Sequence, residues 1–252
     1  MDLPWREILG ESITTVDGLC RRFPLAREDL EPVVRQYPMR INPYFLSLIR
    51  EPGDPLWRQA VPDPAELDDL LPDPDPLAEE AQSPVPGLIH RYPDRVVFLV
   101  SSQCAMFCRH CMRKRRVGHP FAAAGDDLAS GIDYIRETPA IRDVILSGGD
   151  PLLLSDDRLL DGILAPLRAI GHVEILRLHT RVPCTLPQRV TDPLVRSLKA
   201  LSPLYVNIQF NHPDEITDAS ARACARLAAA GDRTRTRLKS SHRIRSRMPS
   251  SA

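Results

Sequence analysis

No stretch of about 18 consecutive uncharged apolar residues occurs in the chain, so a membrane-spanning helix is not expected. Net charge is missing as well. Thirty-three Lys and Arg balance 33 Asp and Glu, and no overall attraction to nucleic acid or an anionic lipid surface follows. Cysteine is sparse, six in 252 residues, which excludes a disulfide-stapled scaffold and suits a reducing compartment. Lysine is scarcer still: only Lys114, Lys199 and Lys239 among 33 basic residues. The first residues, MDLPWREILGES, carry acids and Trp5 where a signal peptide would carry basic residues and an apolar stretch, so a cytoplasmic protein is expected.

What is present is unevenly distributed. Residues 1–50 read as a helical, mostly polar-faced segment broken at Pro24, Pro38 and Pro43. Residues 51–90 form a proline-rich connector or wrapping arm. Nine prolines and four Asp-Pro pairs between Glu51 and Gly87 push their neighbours toward extended geometry, against a core element. From Arg95 the pattern changes. RVVFLVSS, RDVILSGG, HVEILRLHT and PLYVNIQFN read as short buried parallel strands. Helical patterns over 127–137, 155–169, 191–201 and 216–230 follow them in turn, with Ser155 as an N-cap. This alternation predicts right-handed βαβ units over residues 91–231, in an open or barrel-like parallel sheet. Residues 232–252, rich in Arg, Ser and Thr with no apolar face, read as a disordered basic tail.

The chemically unusual residues cluster at the C-terminal ends of the expected strands, where (β/α) barrels place their active sites. After the first strand comes SSQCAMFCRHCMRKRRVG, with Cys104, Cys108 and Cys111 spaced C-x3-C-x2-C. Zinc normally takes four N or S ligands, and no second cysteine pair lies downstream. A [4Fe–4S] cube offers four irons, so three thiolates leave one iron open for a ligand such as S-adenosylmethionine. Zinc completed by His110 or His119, and a group of merely buried thiols, remain as alternatives. Cys20, Cys184 and Cys224 are scattered and read as small buried hydrophobes. After the second strand, Gly148 and Gly149 would let backbone approach a ligand, and Asp150 would accept a hydrogen bond from an ammonium group. The run Arg113–Arg116 is either a solvated basic face or a clamp for a carboxylate or phosphate. His90–Arg95 is a second candidate anion clamp.

CAMFCRHCMRKRRVG, RDVILSGGDPLLLSD, HVEILRLHTRVPCTLPQRVT and FNHPDEIT, in this order, resemble the lysine 2,3-aminomutase family of the radical S-adenosylmethionine superfamily, over roughly Pro4 to Gly231. A related family that modifies a lysine of translation elongation factor P shares the same early half and is the competing assignment. The resemblance implies a partial radical-SAM (β/α) barrel holding about four of six βα units, preceded by the helical and proline-rich extension. It places a [4Fe–4S] cluster on Cys104, Cys108 and Cys111 and S-adenosylmethionine against Gly148, Gly149 and Asp150. Gln209 stands beside the adenosine, where the family phrase T-H-F-N-H-P has its first histidine. Arg113 would hold the substrate carboxylate and Arg91 the phosphate of pyridoxal 5′-phosphate. The implied reaction moves the amino group of lysine from carbon 2 to carbon 3.

After LAAAG the family continues with two further barrel units and a segment supplying the lysine that anchors pyridoxal phosphate. None of this chain's three lysines matches that position. The resemblance therefore implies a fragment or truncated paralogue that does not complete the aminomutase reaction by itself. The partners expected are a small-molecule substrate, lysine or a related amino acid, and a protein that reduces the cluster. Neither a membrane nor a nucleic acid is expected, and homo-oligomerisation is left open. The rival from another class is a non-catalytic metal- or partner-binding module whose basic tail contacts nucleic acid.

Overall fold

The four apolar runs form strands, and they do so in sequence order. The structure, a computed structural model, describes residues 5–67, 75–119 and 126–230, and the expected basic tail lies outside these residues. Strands β1 (Leu88–Tyr92), β2 (Arg95–Ser101), β3 (Asp143–Gly148), β4 (Ile175–Thr180) and β5 (Leu204–Ile208) lie side by side in the order β1-β2-β3-β4-β5. β2 to β5 run parallel. Each new strand is added on the same side as the last, which is how a barrel wall winds. A doubly wound sheet would reverse at a switch point.

β1 is the strand that the sequence pattern did not reveal. It pairs antiparallel with β2, with Tyr92 opposite Arg95 across the two-residue turn Pro93-Asp94. The YPDR phrase is thus hairpin chemistry, and it covers one edge of the sheet. β5 forms the other edge, and its alternating half-exposure contrasts with the nearly continuous burial of β2.

Helices pack over the sheet and bury its apolar side chains. Five short helices, described below, precede the sheet, so the crossover helices begin at α6 (Asp126–Glu137), which joins β2 to β3. The next crossover is a continuous rod of α7 (Asp156–Leu159), a π-turn at Leu160–Leu164 and α8 (Ala165–Arg168), capped by Ser155 as expected. The short α9 (Val182–Thr185) follows β4, then α10 (Asp192–Ala200) leads to β5, and α11 (Asp218–Ala230) follows β5. Phe98, Val144, Leu146, Leu176 and Leu178 from the strands meet Ile135, Ile163, Leu167 and Leu194 from the helices, all within 1% of full burial. Each such side chain contributes about 1.5–3 kcal/mol relative to exposure. At the N-terminal ends of the strands, the buried Asp143 accepts from Arg95 on β2 at 2.7 Å and from Arg177 on β4 at 2.9 Å. One carboxylate thereby ties three neighbouring strands at the face opposite the candidate site.

The N-terminal region departs from the sequence expectation. α1 (Trp5–Gly10), α2 (Val16–Cys20), α3 (Arg27–Gln36), α4 (Pro43–Leu48) and α5 (Pro55–Ala60) are not polar-faced units. Together they bury Leu19, Met39, Ile41, Phe45 and Leu56 in a second apolar cluster that reaches Met106 of the cysteine loop. Four of the five have only five or six residues, too few to show a 3.6-residue period, and only α3 is long enough to present a buried stripe, Leu30 and Val33. Nor is the proline-rich arm free of core elements, since Leu56, Ala60 and Val61 are buried. Two of its four Asp-Pro pairs start helical turns. Asp54 accepts from the amides of Leu56 and Trp57 while Pro55 opens α5, and Asp63 with Glu66 closes a capping box around Pro64.

Two polar side chains bolt this layer to the cysteine loop. Asn42, fully buried, donates to the carbonyls of Ala105 at 2.9 Å and Thr185 at 2.8 Å, while its Oδ1 accepts the Phe45 amide. Arg109 forks onto Glu66 at 2.9 and 2.8 Å and donates to the Pro38 carbonyl. Asn42→Ala removes a helix cap and leaves two buried carbonyls unpaired. It is expected to lower the unfolding free energy by about 2–4 kcal/mol, read from the midpoint of urea denaturation at unchanged slope.

Candidate active site

The loop that leaves β2 is irregular, so its backbone groups need partners from elsewhere. The loop after β3 supplies two of them. Gly149 N–H donates to the Ser101 carbonyl at 2.5 Å and Asp150 N–H to the Gln103 carbonyl at 2.7 Å. The N-terminal layer supplies two more. Phe107 N–H donates to the Arg40 carbonyl, and Arg109 N–H to the Gln59 carbonyl. Gly148 sits at φ +116°, a conformation that side chains disfavour, and a Cβ there would collide with the Ser101 carbonyl. A Cβ on Gly149 would collide with the Gln103 backbone. The two glycines do permit a close approach, but the segment approached is the cysteine loop itself.

The C-terminal ends of the strands enclose a cavity of about 570 Å³. Cys104, Cys108 and Cys111 all line it, together with Arg113, Gly148, Gly149, Asp150 and Gln209. The expected rim is therefore assembled. Burial is the main cause that raises the Cys104 thiol well above its ordinary range, with Asp150 and the other two cysteines adding to it. Burial also raises Cys111, opposed by the amide of Arg113. Among the described residues no three His, Cys, Asp or Glu side chains converge on a point where one ion could bind. A single zinc ion draws its sulfurs to about 2.3 Å from one centre. In an iron–sulfur cluster each thiolate meets a different iron, and three thiols lining one cavity fit that arrangement. Its positive charge would offset the cost of ionising buried thiols.

Arg181, at the end of β4, is the residue that the sequence argument left without a role. Its Nη1 donates to Cys108 Sγ at 2.7 Å, and its Nη2 bonds Glu215 Oε1 at 2.7 Å and Gln59 Oε1 at 2.9 Å. Glu215 is fully buried. Beside it, Asn211 Nδ2 reaches Gln59 at 3.1 Å and His110 Nε2 at 2.9 Å. Arg181 and Glu215 lie within HVEILRLHTRVPCTLPQRVT and FNHPDEIT, two of the phrases that carry the family resemblance. Their convergence on a glutamine from the proline-rich arm had no sequence signal.

Other expected residues take different surroundings. Asp150 is buried and both of its oxygens are engaged, by Thr180 Oγ1 at 2.8 Å and by the amides of Arg181 at 2.8 Å and Leu152 at 3.1 Å. Burial is the first cause that raises its pKa, and these hydrogen bonds oppose it. The side chain therefore fastens β4 to the β3 loop. Arg113 forks onto Glu79, with Nε at 3.0 Å and Nη2 at 2.7 Å, leaving Nη1 toward Ser147 Oγ at 3.5 Å. Arg115 pairs with Asp75 at 2.7 Å, and Arg116 with Glu80 at 3.1 Å. The basic run is thus clasped by the acidic end of the arm. Gln209 lines the cavity and donates to Asn211 Oδ1 at 2.8 Å. Arg91 is exposed on β1, 5.8 Å from the Tyr92 ring, and is not part of the cavity wall.

No lysine lines this cavity among the described residues. Lys114 lies over the Tyr37 ring, Lys199 is exposed on α10, and Lys239 falls outside the described residues. His179 also lines the wall, and burial first, then Arg177 and Arg113, lowers its pKa. Cys184 is buried, bonded through its thiol to the Arg181 carbonyl, and pushed strongly upward by burial.

The family model described as the radical SAM superfamily matches residues 98–250. The chain is 49% identical to an L-lysine 2,3-aminomutase of Clostridium subterminale over 90% of its own length and 56% of the relative's. It is 47% identical to an L-lysine 2,3-aminomutase of Acetoanaerobium sticklandii, with the same coverage of 90% and 56%. A glutamate 2,3-aminomutase of Clostridioides difficile is 43% identical over 88% of this chain and 54% of that protein. The chain thus spans a little over half the length of these relatives.

Gly149→Ala is expected to force the Gln103 backbone away and to lower stability by about 1–3 kcal/mol, measured by urea denaturation. Gly171→Ala, where nothing stands within 4 Å of the added carbon, is the matched control and should change stability little.

Proposed function

The chain belongs to the radical SAM superfamily, and from that premise we propose that its cavity carries a [4Fe–4S] cluster with S-adenosylmethionine in an aminomutase of the lysine 2,3-aminomutase type. The observation that supports this reading is the set of three thiols from one loop, all lining the cavity into which the Gly148-Gly149 turn packs. Cys104, Cys108 and Cys111 would each hold one iron, leaving the fourth for the amino and carboxylate groups of S-adenosylmethionine. When bound, the cluster supplies the electron that cleaves the sulfonium carbon–sulfur bond.

The protein's own part is positioning. The close-packed Gly148-Gly149 turn fixes the cysteine loop, and Asp150 holds the end of β4 against it. Glu79 engages Nε and Nη2 of Arg113, and its Nη1 makes only a long 3.5 Å contact to Ser147 Oγ, so that donor is the one a substrate carboxylate could take. Gln209 would meet the adenosine from the end of β5. The described residues offer no anchoring lysine on the cavity wall, so they do not by themselves fit pyridoxal 5′-phosphate, and Arg91 stands away from that wall. An α-amino acid is the substrate class. Relatives named for lysine and for glutamate are similarly close to this chain, so the side chain is not chosen by similarity.

A one-electron reductant is needed as partner. A cluster held on three thiolates favours a reducing compartment such as the cytoplasm. Anaerobic purification with iron and sulfide reconstitution tests the proposal. About four irons per chain are expected, with dithionite-dependent formation of 5′-deoxyadenosine that Cys108→Ala abolishes. A single tightly held zinc ion in the anaerobic protein would overturn it.

A further inference from the structure

Arg181 is placed where a charge would matter most. Its guanidinium is largely buried, it donates to the sulfur of one proposed ligand, and it is gripped from the far side by a glutamate with no solvent exposure. From this geometry we infer that Arg181 is a positioning residue that orients Cys108 and sets the reduction potential of the cluster, with Glu215 as its counterweight. The inference rests on the proposed cluster site and deepens it.

The argument is electrostatic. Reduction adds one electron to a group already carrying three thiolates, so the reduced form is the more negative. A cation donating a hydrogen bond to one of those sulfurs stabilises the reduced form and raises the potential. A buried carboxylate on the other side of that cation acts in the opposite sense. Both effects are larger in a poorly hydrated site than in water. The other cation beside the thiols, Arg113, is engaged by Glu79 and donates to no cysteine sulfur through its guanidinium. Asp150, a buried acid that lines the cavity, accepts from Thr180 and from backbone amides and pairs with no arginine side chain among the contacts described. Arg181 is thus the side chain that joins a thiol to a buried acid directly. Gln59 and Asn211 keep the pair aligned, which links the potential to the seating of α5.

The test is a redox titration of the reconstituted full chain, following the reduced cluster by electron paramagnetic resonance and counting iron in parallel. Arg181→Gln is expected to shift the midpoint to a more negative potential. Glu215→Gln is expected to shift it upward, and Arg181→Lys, which keeps the charge, to stay close to the wild type. A purely structural role would change iron content or unfolding without this pattern of opposite signs. Arg181→Gln protein with full iron and an unchanged midpoint overturns the inference. So does a Glu215→Gln midpoint that is unchanged or lowered, and that variant decides the matter should Arg181→Gln fail to assemble. Absence of a cluster in the wild type would instead remove the functional reading, and this inference with it.

Discussion

The site depends on a contact in which two backbones meet with no room for a side chain between them. Gly149 packs on the Gln103 backbone, and the amides of Gly149 and Asp150 donate into the loop that carries the cysteines. Because the β3 end is built into the sheet, this contact transfers the sheet's rigidity to a loop with no regular structure of its own. Asp150 extends the chain of support to β4, and Arg181 extends it back to Cys108. Three strand ends are thereby mutually fixed around the thiols, which is the preorganisation a metal site requires.

Charge is handled with the same economy. The cysteine loop and its flank carry Arg109, Arg113, Lys114, Arg115 and Arg116, and the end of β4 adds Arg181. Glu66, Glu79 and Asp75 from the proline-rich arm and Glu215 from beyond β5 engage four of the arginines within 3 Å. The site gathers fixed charges of both signs rather than an open cationic patch. It follows that the arm belongs to the chemistry. A segment far from the cysteines in sequence supplies Gln59, Glu66 and Glu79 to their surroundings.

How far the sequence discloses this can be judged from particular residues. The four parallel strands were legible because each centres on a short apolar pattern, nearly continuous in β2 and alternating in β4 and β5, and the crossover helices because each has one apolar face. β1 was hidden because only its first two residues, Leu88 and Ile89, are buried, and by a YPDR turn that resembles an anion clamp. The N-terminal core was hidden because five helices of five to ten residues contribute only one or a few side chains apiece. The three cysteines were legible from spacing, since local geometry is what brings them together. Asp150 was legible as an acceptor at a strand end, but its partners were not. The Thr180 hydroxyl and the Arg181 amide lie 30 and 31 residues away in sequence. Arg181 escaped for a related reason, since its partners come from residues 59, 108 and 215.

The same-side winding of the sheet has a further consequence for how the protein comes to exist. Each strand leans on the one made just before it, and among the described residues the cavity lining ends at Phe210. A chain emerging from the ribosome can therefore raise this wall one unit at a time without waiting for a distant partner strand. The thiols would be enclosed as soon as the segment after β5 is free to fold.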